Sequence, residues 1–188
     1  TLASARILFE HYPKLAGEEI IFDSKSGILK VTKNKDNLCL NFPEDQPVEV
    51  NSDPIFRDIL GIQPLKLLKG KDDYLAIFEN QKQIEQIKPN FSLLSKLDSR
   101  GLVISAPGDQ IDFVSRCFYP EAGIEEDPVT GSAHTMLTPY WAKELNKDKL
   151  EANQLSKRGG KLNCELINSR VFISGRSMIY FEGIISIV

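Results

Sequence analysis

The chain has 188 residues, 41% hydrophobic and 26% charged, which is enough apolar material for one ordinary domain or two small ones sharing an interface and excludes a disordered or fibrous chain. Lys and Arg number 23 against 26 Asp and Glu, a net charge of −3, so a small molecule or another protein is the expected partner, not nucleic acid or an anionic membrane. No apolar run approaches the ~18 residues that span a bilayer, and the opening Thr1-Leu2-Ala3-Ser4-Ala5-Arg6 lacks the layout of a signal peptide.

Along the chain, Leu2, Ala5, Leu8, Phe9 and Tyr12 recur at helical spacing until Pro13 stops them, and alternation over Ile28 to Asn41 predicts a hairpin. Residues 43 to 54 carry Pro43, Pro47 and Pro54 among acids and few apolar groups, the composition of a connection, so a domain boundary is placed there. Next come a short helix between Pro54 and Gly61 capped by Asp53, and strands near 64–69 and 74–78. A helical region around Ile84 and Ile87 continues past Pro89, before a strand at Leu102-Val103-Ile104. Ala133, Met136, Leu137, Tyr140, Trp141 and Leu145 then mark an apolar helix face, with a bend expected at Pro139. A loop from Gln154 to Gly160, a hairpin from Leu162 to Ser174 and a final strand from Ile179 to Val188 follow. Strands alternating with helices indicate the α/β class.

The two ends echo each other. Gly27-Ile28-Leu29 is followed 13 positions after its glycine by Leu40, and Gly160-Lys161-Leu162 likewise by Ile173. Chance similarity and an internal duplication at an offset of 133 residues both account for a match this faint.

Three scattered cysteines, Cys39, Cys117 and Cys164, lie in strand-like surroundings that fit a reducing cytosol. With only His11 and His134 beside them, no metal-ligand spacing results. Gly70-Lys71 and Gly159-Gly160-Lys161 lack the rest of a phosphate-binding loop.

Chemistry concentrates in Gly123-Ile124-Glu125-Glu126-Asp127-Pro128-Val129-Thr130-Gly131-Ser132-Ala133-His134, directly ahead of the apolar helix. Thr130, Gly131 and Ser132 would leave the first helical N–H groups uncovered, and with the helix dipole these form a seat for a carboxylate or phosphate. Asp127 would stand beside that ligand, where a carboxylate orients or relays a proton, with Pro128 fixing its direction. The plainer alternative is that Asp127 or Thr130 only caps the helix and that Gly131-Ser132 is an ordinary turn. His134 is expected to partner a carbonyl, while Glu125, Glu126 and Arg158 are expected to face water.

The run Glu126 to His134, followed by Leu137, Pro139-Tyr140-Trp141-Ala142 and Ser156-Lys157-Arg158-Gly159-Gly160, closely resembles the phenazine biosynthesis PhzF-like family. The match extends over Asp98-Ser99-Arg100-Gly101-Leu102-Val103, Asp112-Phe113-Val114-Ser115-Arg116-Cys117-Phe118, Gly175 and Gly183. Thr1-Leu2-Ala3-Ser4-Ala5 resembles the tail of the family's Gly-His-Ala-Thr motif, so the resemblance covers essentially the whole chain.

What the resemblance implies is a diaminopimelate epimerase-like fold of mixed α+β sheets: two pseudo-symmetric halves, each a curled sheet round a central helix, with the site in the cleft between. Residues 1–46 would be the remainder of a first half that is incomplete in this chain, 47–178 the second half, and 179–188 a final strand returning to the first. The implied activity is a cofactor-independent isomerase moving a proton between carbons of a small carboxylate-bearing metabolite, without metal. Asp127 would be the acid of the second half, and Thr130, Gly131 and Ser132 the substrate-binding turn. The alternative is a non-catalytic metabolite- or partner-binding protein on the same fold. Diaminopimelate epimerase uses two thiols, whereas the turn here holds Ser132, which argues against a two-thiol racemase. The family's glutamate base and Gly-His pair would precede Thr1. The expectation is therefore a missing segment present as a second chain, or an edge covered by another copy as in a homodimer, and no activity from residues 1–188 alone.

Overall fold

Pro13 lacks the N–H that would continue a helical ladder, and helix α1 (Leu2–His11) gives way there to a single further turn, α2 (Pro13–Ala16). In the computed structural model, which describes residues 1–24, 27–51, 53–184 and 186, three strands come next: β1 (Glu19–Ser24), β2 (Gly27–Asn34) and β3 (Asn37–Pro43). The middle of the chain forms β4 (Val48–Glu49), α3 (Ile55–Leu60), β5 (Lys66–Lys69), β6 (Asp73–Ile77), α4 (Gln81–Gln86), α5 (Phe91–Leu94), β7 (Gly101–Pro107) and β8 (Phe113–Phe118). Helix α6 (Gly131–Leu145) then leads to β9 (Lys149–Gln154), β10 (Gly160–Ile167) and β11 (Arg170–Arg176).

Among the described residues the strands form one mixed sheet in the order β1-β2-β3-β11-β10-β9-β8-β7-β6-β5-β4. The pairs β6–β7 and β8–β9 are parallel, and the others antiparallel. Leu75, Val103, Phe113 and Cys117 face α6, whereas Ala76, Leu102, Ile104, Val114 and Phe118 face α3, α4 and α5. Packing on both faces explains why β7 is buried from Gly101 to Ala106 with no alternation, its one polar side chain, Ser105, donating to the Val114 carbonyl. Ala5 and Phe9 of α1 join the same core as α6, packed on Leu38 and Leu40.

The predicted α1, both hairpins, α3, β5, β6, β7 and α6 are present. The helical region around Pro89 is two short helices instead of one, because Asn80 and Asn90 each accept a backbone N–H three residues on and start a separate turn. Strands β1, β4 and β8 carry no readable alternation, whereas β9, which the sequence reading did not separate from the end of α6, alternates, with Leu150 and Ala152 buried between exposed Lys149 and Glu151. The final strand does not form: residues 177–184 have no regular structure, with Tyr180, Phe181 and Ile184 exposed, since no described strand offers them a ladder. Residues 185, 187 and 188 of that segment lie outside the described residues. Glu182 does reach the end of α1, 3.0 Å from His11 Nε2.

Pro139 sits inside α6 without ending it. The carbonyl it cannot serve, that of Thr135, instead accepts the N–H of Asp45 at 3.0 Å, so the ladder's gap is filled from the β3–β4 connection. The Asp45 carboxylate in turn accepts the Lys71 N–H, stitching α6, the connection and the β5–β6 turn together.

Candidate functional site

Thr130 begins α6 in an extended conformation, and its side chain makes no capping bond. Its hydroxyl turns away from the helix and donates to Asp127 Oδ2 at 2.5 Å. Gln154, 1% exposed at the end of β9, pins both residues. Its Nε2 donates to the Asp127 carbonyl (2.7 Å) and to Thr130 Oγ1 (3.2 Å), and its Oε1 accepts the Thr130 N–H (2.8 Å). The Asp127 N–H is held by the Cys117 carbonyl of β8 at 3.0 Å. Buried polar groups so satisfied hold a single geometry, and it is not that of a cap.

The N–H groups of Gly131 and Ser132 have no acceptor among the described residues, as first-turn donors do unless something covers them. Gly131 lies over the first hairpin: a Cβ there would stand 3.5 Å from Leu40 and 3.7 Å from Phe42. Behind the run, Val129 packs so closely on Gly160 that a Cβ at 160 would meet Cγ2 of Val129 at 2.3 Å. The structure thus brings Asp127, Thr130, Gly131 and Ser132 together at one helix start, backed by β8, β9 and β10.

His134 is fully buried, its Nδ1–H donating to the Thr130 carbonyl at 2.7 Å. Burial lowers its pKa to about 4, so the ring is neutral at neutral pH and serves the carbonyl as expected. Glu126 departs from the expected solvated rim, while Glu125 is exposed. The two Glu126 oxygens accept Nε–H and Nη2–H of Arg116 at 2.7 and 3.0 Å, and Arg116 Nη1 donates to the carbonyls of Ile84 and Ile87. A guanidinium this far buried needs several acceptors, and Glu126 is one of them. Burial pushes the Cys117 thiol up, with Asp127 adding to it, so this sulfur stays protonated and is no base.

Sequence reading missed Gln154 as the residue that clamps the run, and also a polar cluster beside it: Asp73, Arg100 and Tyr119. Burial pushes the Tyr119 hydroxyl up, with Asp73 and Asp127 adding to it. The available signal was Arg100-Gly101 at the mouth of an apolar strand, which without tertiary contacts reads as a turn. Among the described residues no group of three or more His, Cys, Asp or Glu could hold a metal ion, and no helix is long and apolar enough to cross a membrane. A concavity of about 880 Å³ lies elsewhere, on the sheet's other face beside Cys39, Asn163, Phe172 and Ser174. Both of its lysines are paired, Lys147 with Asp112 and Lys149 with Glu165, its remaining charges, Asp109 and Glu151, are acidic, and it contains none of the run's residues.

Comparison with known proteins extends the likeness over the chain. The family described as Phenazine biosynthesis-like protein matches residues 1–183. A Pseudomonas aeruginosa protein named as an uncharacterized isomerase is 44% identical over 183 residues, which is 97% of this chain and 70% of that protein. The crystal structure of a PhzF-family protein from Enterococcus faecalis superposes with a TM-score of 0.89 at 40% identity, covering 96% of this chain and 69% of that one. A hydroxyproline epimerase from Agrobacterium vitis shares the fold at a TM-score of 0.54 and 9% identity, over 94% of this chain and 62% of that one.

Proposed function

The chain belongs to the phenazine biosynthesis-like family, and from that premise we propose that it is an isomerase moving a proton between two carbons of a small carboxylate-bearing metabolite. Asp127 handles the proton, and Thr130, Gly131 and Ser132 seat the carboxylate. One observation carries the reading: the Thr130 hydroxyl is spent on Asp127, not on the helix, which leaves the first N–H groups of α6 to a ligand beside a clamped carboxylate. In the reaction a C–H bond breaks, its electron pair enters the neighbouring π system, the double bond shifts, and a new C–H bond forms at the far carbon. Nothing is oxidised or reduced, so a positioned carboxyl group and an anion seat supply the chemistry the second half contributes. Oδ1 of Asp127 accepts no hydrogen bond among the described residues, and it is the oxygen offered to the substrate.

The naming of a relative as an isomerase favours this reading over a non-catalytic binding protein on the same fold. Free thiols at Cys39, Cys117 and Cys164 support a reducing compartment. The halves proposed for the working unit are residues 1–46 and 47–178, with homodimerisation checked by sedimentation. The activity test is incubation of the chain, supplied with the segment expected to carry the glutamate base and the Gly-His pair, with unsaturated cyclic carboxylic acids in D2O, followed by NMR. Deuterium appearing at one carbon as the double bond migrates is the expected result; a panel of such acids left unlabelled would overturn the assignment.

A further inference from the structure

Beside the α6 turn stands a fixed charge that the proton chemistry does not use. Strands β6 and β7 run parallel with Asp73 opposite Gly101, and Arg100 is the residue just before. Asp73 is 3% exposed, and both its oxygens are taken by one edge of the Arg100 guanidinium, Nε on Oδ1 at 2.9 Å and Nη2 on Oδ2. The Tyr119 hydroxyl donates to Oδ2 from 3.4 Å, and the Tyr119 ring lies 5.4 Å from the guanidinium carbon. Gly101 makes room for that ring, since a Cβ there would meet Tyr119 Cδ1 at 2.2 Å.

Stability alone does not account for this pair, because desolvating Asp73 offsets most of what the pairing gains. What the pairing does is hold the guanidinium still. The Arg100 side chain remains 45% exposed, Nη2 reaches Ser132 Oγ at 3.4 Å, and Nη1 has no acceptor among the described residues. A guanidinium already oriented loses little freedom when it takes a carboxylate, and its fork matches that group.

We propose that Arg100 is a specificity-determining residue of the site: its outer N–H groups bind the same anionic group that Gly131 and Ser132 receive, so that a carboxylate is selected over its neutral isostere. Asp73 and Tyr119 are positioning residues that act through Arg100. The inference rests on the reading of Gly131 and Ser132 as the carboxylate seat.

The test follows the amide signals of Gly131 and Ser132 in 15N-labelled protein during titration with benzoate and with benzamide at constant ionic strength. In the unaltered protein benzoate shifts both signals at lower concentration than benzamide does, and the two midpoints give the ratio. Arg100→Gln weakens benzoate about tenfold, the loss of one charge-assisted contact, and narrows the benzoate-to-benzamide ratio by the same factor. Arg100→Lys recovers part of the loss, and Arg57→Gln on the remote helix α3 changes nothing. Should Arg100→Gln alone fail to fold, Asp73→Asn with Arg100→Gln removes both charges together and gives the same weakening. Unchanged benzoate affinity in these variants, with Gly131 and Ser132 still responding, overturns the role of Arg100 and leaves the seat standing. Silence of Gly131 and Ser132 in the unaltered protein overturns the seat and Arg100 with it.

Discussion

The hairpin β2–β3 and the hairpin β10–β11 are one design used twice: residues 27–34 and 37–43 stand 133 positions before 160–167 and 170–176. Their inward side chains correspond, Leu29 with Leu162, Val31 with Cys164, Leu38 with Val171 and Leu40 with Ile173. Strand β3 pairs with β11 so that Leu40 faces Ile173, which puts a local twofold axis through that pair, as self-complementary contact between like strands requires. Arg170 straps the seam by donating to the side chain and carbonyl of Asn41.

The glycines that open the two hairpins match in position and differ in cause. Gly27 sits at φ +94 with nothing within 4 Å of an added Cβ, whereas Gly160 is required by contact with Val129. The helices differ further: α1 buries Ala5 and Phe9, while α6 buries nine of its 15 residues. Backbone pairing therefore carries the shared frame and tolerates changed side chains. What surrounds each helix differs, and at α6 it is the clamp of Asp127, Thr130 and Gln154, the place proposed for the proton chemistry.

Removing the clamp's carboxylate would test this contrast most severely. Asp127→Asn should lower deuterium uptake into substrate by roughly two to four orders of magnitude, the usual worth of a general acid–base group, with the urea midpoint unchanged. Full turnover in that variant would place the chemistry outside the α6 turn.

The unequal burial of the helices is sharpened by truncating one apolar side chain on each. Leu137→Ala in α6 should cost about 2–5 kcal/mol in urea unfolding, and Ile7→Ala in α1, 47% exposed, less than about 0.5 kcal/mol. Equal losses would show that α1 is as enclosed as α6.

His134 marks the α6 side through pH. Its folded pKa of about 4 lies below the ordinary 6.5 because burial disfavours the imidazolium. Between those values the unfolded chain binds the proton and the folded one does not, so stability falls as pH drops from 6.5 toward 4, by about 3 kcal/mol at the limit. Denaturant titrations across that window should show the slope, and His134→Gln should flatten it. An unaltered slope in the variant would assign the effect to other groups.

The smallest effects separate the two glycines. Gly160→Ala should cost about 1–3 kcal/mol and be partly rescued by Val129→Ala, a coupling read from a double-mutant cycle. Gly27→Ala should cost about 1–2 kcal/mol through its backbone alone, and trimming neighbours should recover none of it.

Read without a fold, the sequence determined the elements whose signal is local. Pro13 and the helical spacing before it, the alternation through Leu38 and Leu40, Gly61 after α3 and the apolar face from Ala133 to Trp141 each depend on residues within a few positions of one another. The run from Asp127 to Ser132 was legible for the same reason, since acid, turn and helix start are contiguous. Tertiary structure alone decided the rest. Strand β8 is buried on both faces and so carries no alternation, and β1 and β4 exist because neighbouring strands give them a ladder. Asp73 meets Arg100 across 27 residues and Tyr119 across 46, and Gln154 meets Thr130 across 24. Contacts over such separations leave no period in the chain, because the sheet's folding path, not local spacing, sets which side chains meet.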